Sequence, residues 1–367
     1  MADRLSISKH ILEWAITRAG HSVNTFKNEN PRIASWLDGT SMPTIKQLES
    51  FSKQVCVPFG YLFLQTPPIE TSPIPFFRGE ANKGNLDINT YDTVLALQKR
   101  QDWLADYLSD NDFESHAYVG SINNRMPISN IVSQIRSLIN LPPTWAFVFK
   151  TNDQAVNHVT ELLEDIGVTV VFNGVVGNNT HRPIDVEECR GFSLVNSMAP
   201  FIFVNSADSK TAQLFTLIHE FAHILLGFSA GFGGEDGAQQ NEIERFCDRI
   251  AAEFLVPEIE FRSNWTSIEK TAKLFKVSQL VIARRAKDLG IISYHDFQVF
   301  YAHYRTMPVP ITRKSGGDYF LMAKKRVGYT FAVHVNNALR SNQITPIEAY
   351  RLTGLYGQTY TSFMSRI

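Results

Sequence analysis

The segment LFTLIHEFAHILLG, residues 214–227, constrains this 367-residue chain more than any other. Leu214, Ile218, Phe221 and Leu225 recur at the spacing of one helical face. His219 and His223 are four residues apart, so a helix stacks their imidazoles one above the other, where one metal ion can bind both. Glu220 stands beside them. Zinc takes nitrogen and sulfur ligands, with carboxylate oxygen as a third option, and a catalytic site keeps one position open for water. The metal lowers the pKa of that water towards about 7, and a neighbouring glutamate can take its proton. His-Glu-x-x-His on a helix is the pattern of a zinc peptidase site. The helix is expected over 209–226, capped by Ser209 and closed by Gly227.

A third ligand is expected on the next helix, 240–255, which Pro257 stops. Glu244 follows His223 with 20 residues between them. That arrangement resembles the thermolysin-like layout, in which a glutamate on the following helix completes the zinc site. Glu242 is the alternative, on another side of the helix. Asp248 lies one turn after Glu244, on its face. Cys247 reads as a small buried residue, and Glu235 and Asp236 read as loop surface. His181, His334, Tyr319 and Tyr329 are further candidates for stabilising a transition state, with no spacing that selects among them. Strands expected at 168–173, 192–195 and 201–205 precede the helix. An edge strand matters because it can pair with an extended peptide.

The charge divides the chain. Residues 1–66 carry 7 basic and 5 acidic side chains, 67–261 carry 12 and 26, and 262–367 carry 16 and 5. The balances are +2, −14 and +11, which suggest modules with different partners. Helical patterns at 8–20 and around Leu48, Phe51 and Val55 make 1–66 a small bundle of short helices. Residues 67–85 open with four prolines in PPIETSPIPFF and read as a linker. Helices are expected at 86–108, 131–140 and 153–166, and two or three short ones at 266–291. The domains are therefore 1–66, a 67–85 linker, 86–261 with the metal site, and a basic 262–367. Hydrophobic residues make up 44%, as in ordinary globular chains, and no apolar run approaches the roughly 20 residues of a membrane span. Three distant cysteines, Cys56, Cys189 and Cys247, argue against a disulfide framework and for a reducing cytoplasm.

The stretch RGFSLVNSMAPFIFVNSADSKTAQLFTLIHEFAHILLG, followed by IERFCDRIAAEFLVP, resembles the ImmA/IrrE family of metallopeptidases. The resemblance covers about 150–260 well, spans nearly the whole chain and is most specific around 215–257. It implies an α+β, thermolysin-like (gluzincin) zinc peptidase core with a small sheet, from bacteria, mobile elements or phages. By that pattern His219, His223 and Glu244 are zinc ligands, Glu220 is the general base, and Asp248 orients a histidine ligand. The implied reaction is zinc-dependent endopeptidase cleavage of a DNA-binding repressor, often encoded nearby. The chain departs from the family at Gln213, Phe246 and Ile250, where arginine, a polar residue and phenylalanine are usual.

Residues 1–66 resemble an Xre-type helix-turn-helix, with PRIASWLDG in the recognition-helix place. DNA could be held through 1–66, or through 262–367, where Lys270, Lys273, Lys276, Arg284, Arg285 and Lys287 accompany a second helix-turn-helix-like pattern. An apolar Ile33-Ala34-x-Trp36 surface could instead dock a protein. The rival function is a DNA-binding regulator or toxin–antitoxin component whose zinc fold senses and does not cut. Glu220 separates the two, since a sensor has no use for that carboxylate.

Overall fold

The computed structural model describes residues 4–70, 74, 76–77, 87–232, 242–306 and 318–367. They form two compact units, one of Met1–Pro73 with Asn85–Tyr91 and one of Ile74–Gly84 with Asp92–Ile367.

The first unit contains α1 (Lys9–Arg18), α2 (Val23–Glu29), α3 (Pro31–Leu37) and α4 (Ile45–Gln54). Its core joins Ile11, Leu12, Ile16, Phe26, Trp36 and Phe51. Thr44 caps α4 reciprocally with Gln47. Ile33 and Trp36 are buried, and Trp36 packs edge-on against Phe51. The Ile33-Ala34-x-Trp36 surface expected as an alternative docking face is thus turned inward, because a bundle this small needs its apolar residues for its own core.

The second unit is built on a sheet of β1 (Phe76–Phe77), β2 (Thr169–Asn173), β5 (Gly191–Leu194), β6 (Phe201–Asn205) and β7 (Ala230–Phe232), in the order β1-β7-β5-β6-β2. A separate hairpin joins β3 (Val175–Val176) to β4 (Asn179–Pro183). β2 runs parallel to β6, while β5 is antiparallel to both β6 and β7. β6, FIFVN, is buried throughout. Both faces of the sheet are covered, which explains a continuous apolar run in place of alternation. Ile202 and Val204 join one core, and Phe201 and Phe203 join another.

The first of these cores is closed by α6 (Ile128–Leu138), α7 (Asn152–Asp165), α8 (Lys210–Leu226) and α9 (Glu242–Leu255). The helices α10 (Glu258–Asn264), α11 (Ile268–Phe275) and α12 (Gln279–Asp288) extend it, with α13 (Tyr294–Tyr304) against α12. The other core holds α5 (Ile88–Asp110), α14 (Tyr319–Val327), α15 (Tyr329–Arg340), α16 (Pro346–Thr353) and α17 (Gly357–Met364). Phe331 of α15 meets Phe201 and Trp103 with ring centroids 5.9 and 5.6 Å apart. The mixed α+β class expected from the sequence is what forms. Of the expected 67–85 linker, Phe76–Phe77 is a strand, and most of the rest lies outside the described residues. Among the described residues no helix is long and apolar enough to cross a membrane.

One carboxyl in this scaffold makes stability depend on pH. Half-buried Glu164 accepts a bond from the Tyr329 amide at 2.9 Å, at the start of α15. Burial raises its pKa to about 7 from 4.5, although the Tyr329 amide and Lys324 pull the other way. The folded chain therefore binds more protons than the unfolded one between those values. Stability falls as pH rises through that window. Glu164→Gln keeps the acceptor oxygen and removes the titration. Urea midpoints at pH 4.5 to 8 are expected to show a shallower pH slope in that variant; an unchanged slope assigns it to other groups.

Candidate metal centre

Helix α8 places the site. Ser209 Oγ accepts from the Ala212 amide at 3.2 Å and caps its start. Gly227 ends it in a left-handed conformation, φ 75°. Gln213 fixes the entry by donating to the carbonyls of Ser206 and Asp208 at 3.1 and 2.7 Å. Leu214, Ile218, Phe221 and Leu225 all enter the core, as the periodicity predicts. Burying each contributes roughly 1.5–3 kcal/mol, which keeps the histidine-bearing side of the helix fixed against α9.

Helix α9 brings up the carboxylates. His219, His223 and Glu244 each offer one ligand atom, and the three atoms lie within 4.8 Å of one another. His219 Nε2 is 3.0 Å from Glu244 Oε2, His223 Nε2 is 3.2 Å from Glu244 Oε1, and the two Nε2 atoms are 3.2 Å apart. Ligands about 2.0–2.1 Å from a tetrahedral ion stand about 3.3–3.4 Å from each other, so this spacing suits a small divalent cation. Asp248 Oδ1 lies 3.0 Å from His219 Nδ1. A proton shared there leaves the Nε2 lone pair free for a metal. Glu242 is exposed, whereas Glu244 is buried. Cys247 is buried in the core, and burial pushes its thiol pKa well up.

The electrostatics of the centre ask for a cation. Burial opposes the charge on Glu244, yet the two imidazoles hold its carboxyl down at about 2. Burial likewise works against protonating His219, but Asp248 and Glu244 outweigh it and raise the pKa to about 10. Glu220 is fully buried, and burial raises its carboxyl to about 8. Neither Glu220 oxygen nor His223 Nδ1 has a hydrogen-bond partner among the described residues. Buried polar atoms without partners are costly, and a divalent ion bound between His219, His223 and Glu244 would bring a partner within reach of Glu220.

Strand β5 forms the wall behind Glu220, a feature the sequence reading missed. Gly191 and Ser193 alternate with Phe192 and Leu194, whose side chains enter the opposite core. Ser193 Oγ is buried and faces Glu220 closely enough to favour its ionised form, short of a hydrogen bond. A Cβ on Gly191 would stand 2.4 Å from Thr216 Cγ2, 2.7 Å from the Phe203 carbonyl oxygen and 3.5 Å from Glu220 Cγ. Gly191→Ala is therefore expected to cost about 1–3 kcal/mol, as overpacking does. The readout is a urea midpoint; an unchanged midpoint would mean that α8 does not pack this closely.

The other candidates lie elsewhere. His334, on α15, packs against Tyr107 and Phe113, whose rings lie 5.9 and 5.6 Å away. Tyr319 and Tyr329 begin α14 and α15, helices of the core across the sheet from α8. His181 is exposed on β4. Glu235 and Asp236 fall outside the described residues. The basic residues of 266–291 are partly engaged within the fold. Arg285 pairs with Glu253 and donates to the Val256 carbonyl at 3.1 Å, and buried Lys276 donates to the Lys273 carbonyl at 2.6 Å.

Residues 163–287 match the family described as the IrrE N-terminal-like domain, a peptidase family. Among curated proteins none matches the chain.

Proposed function

We propose, from the match of residues 163–287 to the IrrE N-terminal-like peptidase family, that this chain is a zinc-dependent endopeptidase of the ImmA/IrrE type with a thermolysin-like core that cleaves a helix-turn-helix repressor encoded nearby. The observation that carries the reading is a buried carboxylate without a partner, Glu220, next in sequence to one member of a His219–His223–Glu244 cluster. A purely structural or sensing metal site gains nothing from that carboxylate.

His219, His223 and Glu244 would hold the zinc, which when bound would polarise a peptide carbonyl and bring a water's pKa down towards about 7. Glu220 would take a proton from the attacking water and pass it to the leaving amine. Asp248 would hold His219 in the ligating tautomer from its position 3.0 Å from Nδ1. Gly191 and Ser193 would keep Glu220 against a close, dry wall. The 26 acidic side chains against 12 basic ones in residues 67–261 would favour encounter with a basic, DNA-binding substrate. Direct DNA binding by 262–367 has less support, since Arg285 and Lys276 are committed to internal partners.

Incubation of the zinc-loaded chain with the helix-turn-helix protein encoded beside it tests the reading. Mass spectrometry should find two fragments from one cut, formed more slowly as salt is raised. An intact partner after incubation with zinc-loaded protein would remove it as the substrate.

A further inference from the structure

Strand β5 lies against Glu220, since a Cβ on its Gly191 would approach Glu220 Cγ to 3.5 Å. One edge of β5 is paired with β6. The other is paired antiparallel with β7, with Gly191 opposite Phe232, Phe192 opposite Gly231 and Ser193 opposite Ala230. β7 is covered in turn by β1, with Phe76 opposite Gly231 and Phe77 opposite Phe232. An extended peptide is recognised at a sheet edge through its main-chain hydrogen bonds. A substrate that presents its scissile bond beside Glu220 needs the outer edge of β5, and residues 230–232 already lie there. Pairing outside β1 instead would hold the peptide three strand spacings from β5, about 14 Å away.

We propose that β7 is an autoinhibitory strand, occupying in cis the edge of β5 on which an extended peptide substrate must lie, with β1 as its cover. This inference rests on the peptidase reading above. The local chemistry suits a replaceable occupant. Among the described residues the β5–β7 ladder joins three residue pairs and the β1–β7 ladder two. Gly231 sits at the centre of β7, where glycine weakens a strand. The segment is tied to β5 by Ser229, whose Oγ accepts from the Val195 amide at 2.8 Å. It follows directly on the left-handed Gly227 that ends α8. The occupant it mimics is an extended stretch of three or more residues, read through its backbone.

The test uses the full chain loaded with zinc and a mixed-sequence library of quenched fluorescent peptides. Ser229→Ala removes the tie, and Gly231→Pro removes a ladder amide and restricts the backbone of β7. Losing one net hydrogen bond shifts an opening equilibrium about 2- to 10-fold. Ser229→Ala is therefore expected to cleave a few-fold faster than wild type, and Gly231→Pro about tenfold or more. Zinc content should be unchanged, and amides of 191–195 should exchange hydrogen faster. If both variants hold zinc and expose those amides but cleave no faster than wild type, the inference is overturned. It is also overturned if the β5 amides stay protected in Gly231→Pro while cleavage matches wild type. Absence of zinc from the wild-type chain, or cleavage that survives Glu220→Gln, sinks the peptidase reading instead, so the two failures are distinguishable.

Discussion

Glu220→Gln is expected to lose peptidase activity by about 10²–10⁴-fold, the contribution of a positioned general base, and to keep its zinc and its fold. The substitution preserves shape in a position with no exposed surface. It removes the proposed proton acceptor without breaking a hydrogen bond, since neither oxygen is hydrogen-bonded among the described residues. An amide needs no charge in that buried space, and burial is what raises the acid's pKa to about 8. In the metal-free chain the variant is thus expected to be at least as stable as wild type at pH 8. The loss should fall on kcat more than on KM, because the proton transfer belongs to the transition state. Steady-state kinetics on the cleaved partner, with zinc measured on the same sample, decide it. Wild-type turnover in a zinc-loaded Glu220→Gln chain would exclude Glu220 as the base.

His219→Ala and His223→Ala are expected to lose the metal, and Glu244→Ala to bind it weakly. Two of three ligands come from one helix, and neither a lone histidine with Glu244 nor Asp248 restores the set. Each histidine deletion also leaves Glu244 buried with one imidazole fewer to hold its charge, at a cost typical of an uncompensated buried ion. A ligand that binds only the folded state stabilises it by mass action. The melting temperature of wild type should therefore rise with added zinc, while that of the double variant stays flat. Full zinc occupancy in the His219→Ala, His223→Ala double variant would mean that the ion lies elsewhere.

The parts of this architecture that depend on local periodicity were legible before any coordinates. The α8 pattern, its Ser209 cap and its Gly227 stop are encoded within 19 residues of one another. The apolar runs of β2 and β6 read as buried strands because β-branched and aromatic residues dominate them. The carboxylates of Glu244 and Asp248, four apart on α9, also share a face by local rule. The 3.0 Å approach of both carboxylates to His219, by contrast, depends on how α8 and α9 pack, which no spacing encodes.

What stayed illegible has the same origin. β1 and β7 are held by partners distant in sequence, β7 by β5 and β1 by β7, which no local pattern encodes. PPIETSPIPFF reads as a linker by its prolines, and its final FF is a strand through a partner more than 150 residues away. The role of Gly191 is invisible locally, since its constraint is the Phe203 carbonyl and Thr216 across the packing. In the C-terminal region, charge drew attention to the lysines and arginines of 266–291. The residues that anchor α14 and α15 to the sheet are Val327, Phe331 and Val335, and the folded chain ties down Arg285 and Lys276.

The most direct test of the central claim is anomalous diffraction at the zinc edge from crystals of the zinc-loaded chain. The account predicts one strong peak about 2.0–2.2 Å from His219 Nε2, His223 Nε2 and a Glu244 carboxylate oxygen. A zinc-replete crystal with its peak at other residues, or with no peak between these three side chains, would contradict it.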